Sequence, residues 1–105
     1  MANFKNATSS GIGTTEAIVY TATTKSIVIG CNISNIYGSI VPVDLILRKD
    51  NTDTCIKKQL RIPNGESVEI MKGNKIVLSQ GESIVAKGYV DNSIDIILSL
   101  LTGVT

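Results

Sequence analysis

Residues 18–35 read IVYTATTKSIVIGCNISN. Two apolar, β-branched runs flank TATTK, and the second run alternates. Successive side chains of an extended chain point to opposite faces. Ile27, Ile29, Cys31 and Ile33 therefore fall on one side, and Val28, Gly30 and Asn32 on the other. The first side reads as a core face. The second carries no charge, where a small domain normally shows charge to water. What that second side faces is the question the stretch poses.

Outward from it, turn signals recur at roughly 8–12-residue spacing, the mark of a sandwich or barrel. The spacing predicts strands over 16–22, 26–34, 40–49, 54–62, 67–71, 75–79, 83–90 and 93–101. Asn64-Gly65 and Gly73-Asn74 suit tight turns, because both residue types tolerate positive φ. No twelve-residue window keeps a helical period, and Ile, Val and Thr abound. The expected fold is all-β: an antiparallel Ig-like or jelly-roll-type β-sandwich of seven to eight strands with an extended N-terminal tail. The Cys–Trp–Cys core of an antibody domain is missing, so "Ig-like" describes architecture only. Residues 1–15, polar and aperiodic, read as an extended N-terminal arm, and 16–105 as the sandwich domain. Such an arm orders itself only against its own domain or a neighbour.

Alternation assigns the remaining faces. Inward fall Val43, Leu45 and Leu47; Ile56, Leu60 and Ile62; Val68 and Ile70; Ile76 and Leu78; Ile84 and Ala86; and Ile94, Ile96, Leu98 and Leu100. Val28, Ile46, Ile97 and Leu101 fall outward. Single exposed aliphatics are ordinary, but four on three strands make a patch that points to a protein partner. Tyr37 and Tyr89 join them as candidate interface anchors. Pro42 belongs at a strand start or an edge.

The totals narrow the function classes. The 105 residues carry 43% hydrophobic and 18% charged side chains, with ten Lys+Arg against nine Asp+Glu. One ordered domain follows. A net charge of +1 without a basic block argues against nucleic acid and anionic membranes. No apolar stretch has the length of a membrane span, and the polar N-terminus lacks a signal-peptide core. Production in a cytoplasm is the expectation, with Cys31 buried, Cys55 outward, and both reduced.

No chemistry stands out. Histidine is absent, which removes the commonest general base and metal ligand. Cys31 and Cys55 stand alone, so no metal cluster is expected. Asp50, Asn51 and Asp53 resemble half a calcium loop but lack its glycine and terminal glutamate, so they read as a hairpin turn. Gly11-Ile12-Gly13 has no preceding strand or following helix and is not a phosphate loop. Glu66, Glu69 and Glu82 read as solvated carboxylates near turns. No catalytic, cofactor or metal residues are assigned, and no enzyme is expected.

The ordered combination of segments resembles a group of small virion structural proteins of tailed phages, above all marine phages infecting cyanobacteria and other ocean bacteria. The matching pieces are Val19-Tyr20-Thr21, the alternating strand 26–35, the strand 43–47, Pro63-Asn64-Gly65, the run 75–84, and the closing strand 93–101. Cys31 departs from the aliphatic expected there and packs as a small hydrophobe. The resemblance implies a non-enzymatic subunit in a virion, made in the host cytoplasm. Such a subunit cements or decorates the capsid, or builds the head–tail neck or tail. Its partners would be other virion proteins, the major capsid protein or neck and tail subunits, in multiple copies or as a homo-oligomer. A carbohydrate- or receptor-binding module is the alternative, and it needs a platform built from Tyr20, Tyr37 or Tyr89.

Overall fold

The computed structural model describes residues 2–104. Among them there is no helix, and nine strands follow one another. They are β1 (Asn3–Ile12), β2 (Ala17–Thr21), β3 (Ser26–Asn35), β4 (Val41–Lys49), β5 (Thr52–Ile62), β6 (Ser67–Glu69), β7 (Ile76–Leu78), β8 (Ser83–Gly88) and β9 (Ile94–Thr102). Eight match the strands expected from the turn spacing. The ninth is β1, which pairs antiparallel with β9 along its length. The N-terminal arm is thus extended, but it is an edge strand of the sandwich. The strand count rises above the expected seven to eight for that reason. Alternating burial was hidden there, because Ala7 and Ser9 mark the inward side and neither is strongly apolar.

The pairs are nested. β4 pairs with β5, β3 with β6 and β7, β2 with β8, and β1 with β9, all antiparallel. A chain paired in this way is one long hairpin. It rolls up when β9 also bonds β3 and β8 also bonds β4. The result is a jelly roll of two packed sheets. Sheet I has the order β1-β9-β3-β6, with β7 sharing the β6 edge, and sheet II the order β2-β8-β4-β5. The core lies between them. Ile33, Leu45, Ile62, Leu78, Ile84, Ile94, Ile96, Leu98 and Leu100 are each fully buried there. Pro42 stands at the start of β4, as expected, opposite Arg61 of β5 and before the pairing with β8 begins at Val43, so its missing N–H costs no bond to β8.

The opening stretch contains a bulge. On β3, Val28 stands opposite Leu100 of β9, but Gly30 stands opposite Ser99. One extra residue on β3 flips the alternation. Ser26 and Val28 face inward before it, and Cys31, Ile33 and Asn35 face inward after it. Val28 is therefore core, 1% exposed, and not an outward residue. Ile27 and Ile29, expected inside, are half-buried and lie outside the core cluster. A strict period of two cannot announce a one-residue insertion.

Gly11 explains the GIG triplet. Its φ is +63°, and an added Cβ would lie 2.6 Å from Asn92 Oδ1. Its N–H donates to Asp95 Oδ1 at 2.9 Å. The register of β1 against β9 slips at this point, between Ser9 and Ile12. The glycine makes the bend that ends the strand.

Candidate functional site

The two outer faces of the sandwich differ in chemistry. On sheet II, Ile18, Val85, Ile46 and Cys55 stand opposite one another in a row across all four strands. Arg48 lies two residues to one side of that row and Glu16 two residues to the other, on the same face. Their ion pair at 3.0 Å therefore crosses over the row. Arg48 also grips Asp53, with Nε 2.7 Å from Oδ1 and Nη2 2.9 Å from Oδ2. That bond, with the one to Glu16, pushes the guanidinium pKa up and holds Asp53 below its usual range. Beneath the pair Val85 is 0% and Ile46 9% exposed. Ile46 does point away from the core, as alternation predicts. It is not a free interface residue, because it is only 9% exposed, with the Arg48–Glu16 pair crossing its row.

Beside this lies a second polar knot. Asp44 is buried, and it accepts the Gln59 N–H and the Tyr89 hydroxyl, both at 2.8 Å, and Lys58 Nζ at 3.3 Å. Burial acts to raise the Asp44 carboxyl, and the three donors outweigh it, so it sits below the usual aspartate range. Tyr89 is consequently half-buried, its hydroxyl committed. On sheet II, Glu16, Asp44, Arg48, Asp53 and Lys58 are thus paired within the chain.

Sheet I faces out with almost no charge. One cross-strand row consists of Phe4, Leu101, Ile27 and Val77, from β1, β9, β3 and β7. A second runs Asn6, Ser99, Gly30, and a third Thr8, Ile97, Asn32, Glu69. Phe4 is 80% exposed, Val77 51% and Ile97 45%. Leu101 is half-buried and outward, as its register predicts. The acids of this face, Asp95 and Glu69, are turned to backbone N–H groups: Gly11 for the first, Cys31 and Met71 for the second. Glu69 is thus a structural clamp and not a solvated bystander. Glu82 likewise is buried and accepts the Ser79 N–H at 2.8 Å.

A third apolar surface caps one end. The loop between β3 and β4 presents Ile36, Tyr37 and Ile40, all exposed. Asn35, 2% exposed, fixes that loop. Its Nδ2 donates to Ser39 O and Ile62 O, both at 2.8 Å, and its Oδ1 accepts the Tyr37 N–H at 2.7 Å. The three tyrosines belong to separate elements: Tyr20 packs on the core from β2 under Lys5, Tyr37 sits on this loop, and Tyr89 follows β8.

The structure thus leaves Ile97, Leu101 and Tyr37 on the surface and withdraws Val28, Ile46 and, in part, Tyr89. It adds Phe4, Val77, Ile27, Ile36 and Ile40. Phe4 had a signal in the sequence, being the chain's one phenylalanine, set in a polar arm. Val77 follows from the alternation that sets Ile76 and Leu78 inward, although it was not read as an interface residue.

Among the described residues, no three His, Cys, Asp or Glu side chains are placed to hold a metal ion. Both cysteines are free thiols, Cys31 buried and Cys55 exposed. Burial, with the Glu69 carboxylate beside it, pushes the Cys31 thiol up to about 12. It stays protonated and inert at neutral pH.

No family model matches the chain, and no curated protein sequence matches it. Among solved structures, a chain of the Bacillus endospore appendages, described as a novel family of disulfide-linked pili, has the same fold. Its TM-score is 0.60 at 11% sequence identity, over 100% of this chain and 88% of that one.

Proposed function

We propose that this chain is a non-enzymatic structural subunit that works by packing against neighbours in a repeated assembly, with a phage particle as the setting its sequence resemblance implies. The observation that carries the reading is the outer face of sheet I. It is uncharged apart from two acids already committed to backbone groups, and it exposes Phe4, Val77 and Ile97. A face of that kind stays wet at a cost of about 25 cal/mol per Å² of apolar surface, which a neighbour recovers.

Two further facts support it. The jelly roll presents its faces on paired strands, so little ordering entropy is lost on packing. The solved appendage chain of the same fold comes from a pilus, itself a many-copy assembly. Repetition multiplies a modest contact through avidity, which is the way a cementing subunit raises the cost of pulling its neighbours apart.

Sedimentation and negative-stain electron microscopy of the purified full chain test the reading. Concentration-dependent multimers are the expected result. A protein that stays monomeric at millimolar concentration and is absent from purified particles overturns it. Specific retention on a glycan array would favour a carbohydrate-binding module instead.

A further inference from the structure

Where the free edges of the two sheets meet, the sandwich is open. β5 of sheet II and the β6–β7 segment of sheet I leave a cleft of about 250 Å³, lined by the apolar Ile56, Ile70, Met71 and Ile76 and the polar Lys57 and Asn74. Its floor is the core itself: Ile70 and Met71 are buried, and Ile56 and Ile76 pack against the same cluster. An apolar cavity of about 150 Å³ accepts benzene, so this cleft has room for a phenyl ring.

The opposite edge of the molecule carries a phenyl ring with nothing over it. Phe4 on β1 is the most exposed large apolar side chain among the described residues. It stands at one end of the row Phe4, Leu101, Ile27, Val77, and Ile76 of the cleft adjoins the other end. Three strand spacings separate the ends, about 14 Å. Phe4 therefore cannot reach the cleft of its own chain.

We infer that Phe4 of one copy seats in the Ile56/Ile70/Met71/Ile76 cleft of the next, so that copies join head to tail. This rests on the many-copy reading above and names its contact. A knob and a hole at opposite ends of one row, each engaged with a different neighbour, make a heterologous interface, which runs on as a chain or closes as a ring. Charge permits the contact. Lys5, the one charged residue of β1, is turned toward Tyr20, 5.6 Å from its ring, while the cleft edge is basic through Lys57, Lys72 and Lys75. No acid is buried unpaired and no like charge faces Phe4. The area is sufficient too. With extents of 42 × 26 × 20 Å, the molecule has sides of the order of the ~800 Å² that a standard interface takes from each partner.

Two variants test the inference, each at an exposed position so that the fold survives: Phe4→Ser removes the knob, and Asn74→Trp fills the hole. Circular dichroism and melting verify both folds. Analytical ultracentrifugation over a concentration series then compares the parent, each variant and their equimolar mixture. The parent forms extended multimers. Each variant alone loses them, its dissociation constant rising about thirtyfold or more, as for a central aromatic anchor. The mixture recovers dimers only, because the intact Phe4 of one variant meets the open cleft of the other. If the parent assembles and Phe4→Ser assembles equally well, or the mixture stays monomeric, the knob-and-hole contact is wrong while the many-copy reading stands. If the parent itself stays monomeric, the knob-and-hole contact is wrong, and the many-copy reading falls with it when the chain is also absent from purified particles.

Discussion

Glu69 clamps the bulge in β3 by accepting the backbone N–H of Cys31 on its Oε2 at 2.8 Å. β7 pairs with β3 up to Val28, and β6 pairs with it from Asn32. The bulge falls between the two, where no strand supplies an acceptor. The carboxylate supplies it, and also takes the Met71 N–H at 3.0 Å. The Ile70 N–H donates back to Cys31 O at 2.8 Å. One side chain thus holds the point at which the alternation of β3 reverses, and with it the inward placement of Val28.

Glu69→Ala leaves two backbone donors without a partner. Hydrogen bonds to charged groups contribute about 1.5–3 kcal/mol, and the variant loses stability in that range. Glu69→Gln keeps an acceptor and loses less. Urea denaturation of the three proteins measures the order. Equal midpoints for Ala and wild type would mean that water replaces the carboxylate and the clamp does not matter.

Acid should weaken the fold through Asp44. Its folded pKa lies below its unfolded value, near 4. Between the two values the unfolded chain holds a proton that the folded chain does not, so stability falls as pH falls through that window. The contribution is fully present above about pH 5. Asp53, held down by Arg48, and Asp91, held down by the Thr14 N–H and hydroxyl, act in the same direction. Asp44→Asn should therefore flatten part of the drop in melting temperature between about pH 5 and 3 while lowering the value at pH 7. A drop of undiminished steepness in the variant assigns the acid sensitivity to the other carboxylates.

The thiols should separate cleanly. Cys55 is exposed and reacts with a thiol reagent at once. Cys31 is 1% exposed with its pKa pushed up to about 12, so it reacts only on unfolding. Native titration finds one fast group, and a second appears in denaturant. Two fast groups in the native protein would place Cys31 outside the core.

The strand list was legible in the sequence because Gly and Asn punctuate it at turns such as Asn64-Gly65 and Asp91-Asn92. Faces were legible wherever the pleat runs unbroken, as through Ile94, Ile96, Leu98 and Leu100. They were not legible at Ile29, where one inserted residue reverses the phase and only the partner strand reveals it. The candidate surface was half visible. Ile97 and Leu101 follow from alternation alone. Ile46 was misread because its cover, the Arg48–Glu16 pair, joins residues 32 positions apart. Phe4 was passed over because an edge strand of Asn, Thr and Ser has no apolar period to announce it.

Three outward-reading aliphatics now have different fates, and substitution separates them. Val28 is 1% exposed and packs in the core, so Val28→Ala should cost about 2 kcal/mol, and Val28→Lys should prevent folding. Ile46 lies beneath the Arg48–Glu16 pair. A lysine there sets two like charges together, at a cost of about 1–3 kcal/mol. Ile97 stands 45% exposed between Thr8 and Asn32 on the uncharged face of sheet I. Ile97→Lys should change stability by no more than about 0.5 kcal/mol. It should nonetheless weaken assembly of the full chain, because it puts an unpaired charge on an apolar face whose own acids are already committed. Melting curves and sedimentation on the same three variants decide the matter. If Ile97→Lys folds and multimerises like the parent, the outer face of sheet I is not where copies meet, and the Ile36, Tyr37 and Ile40 loop becomes the surface to mutate next.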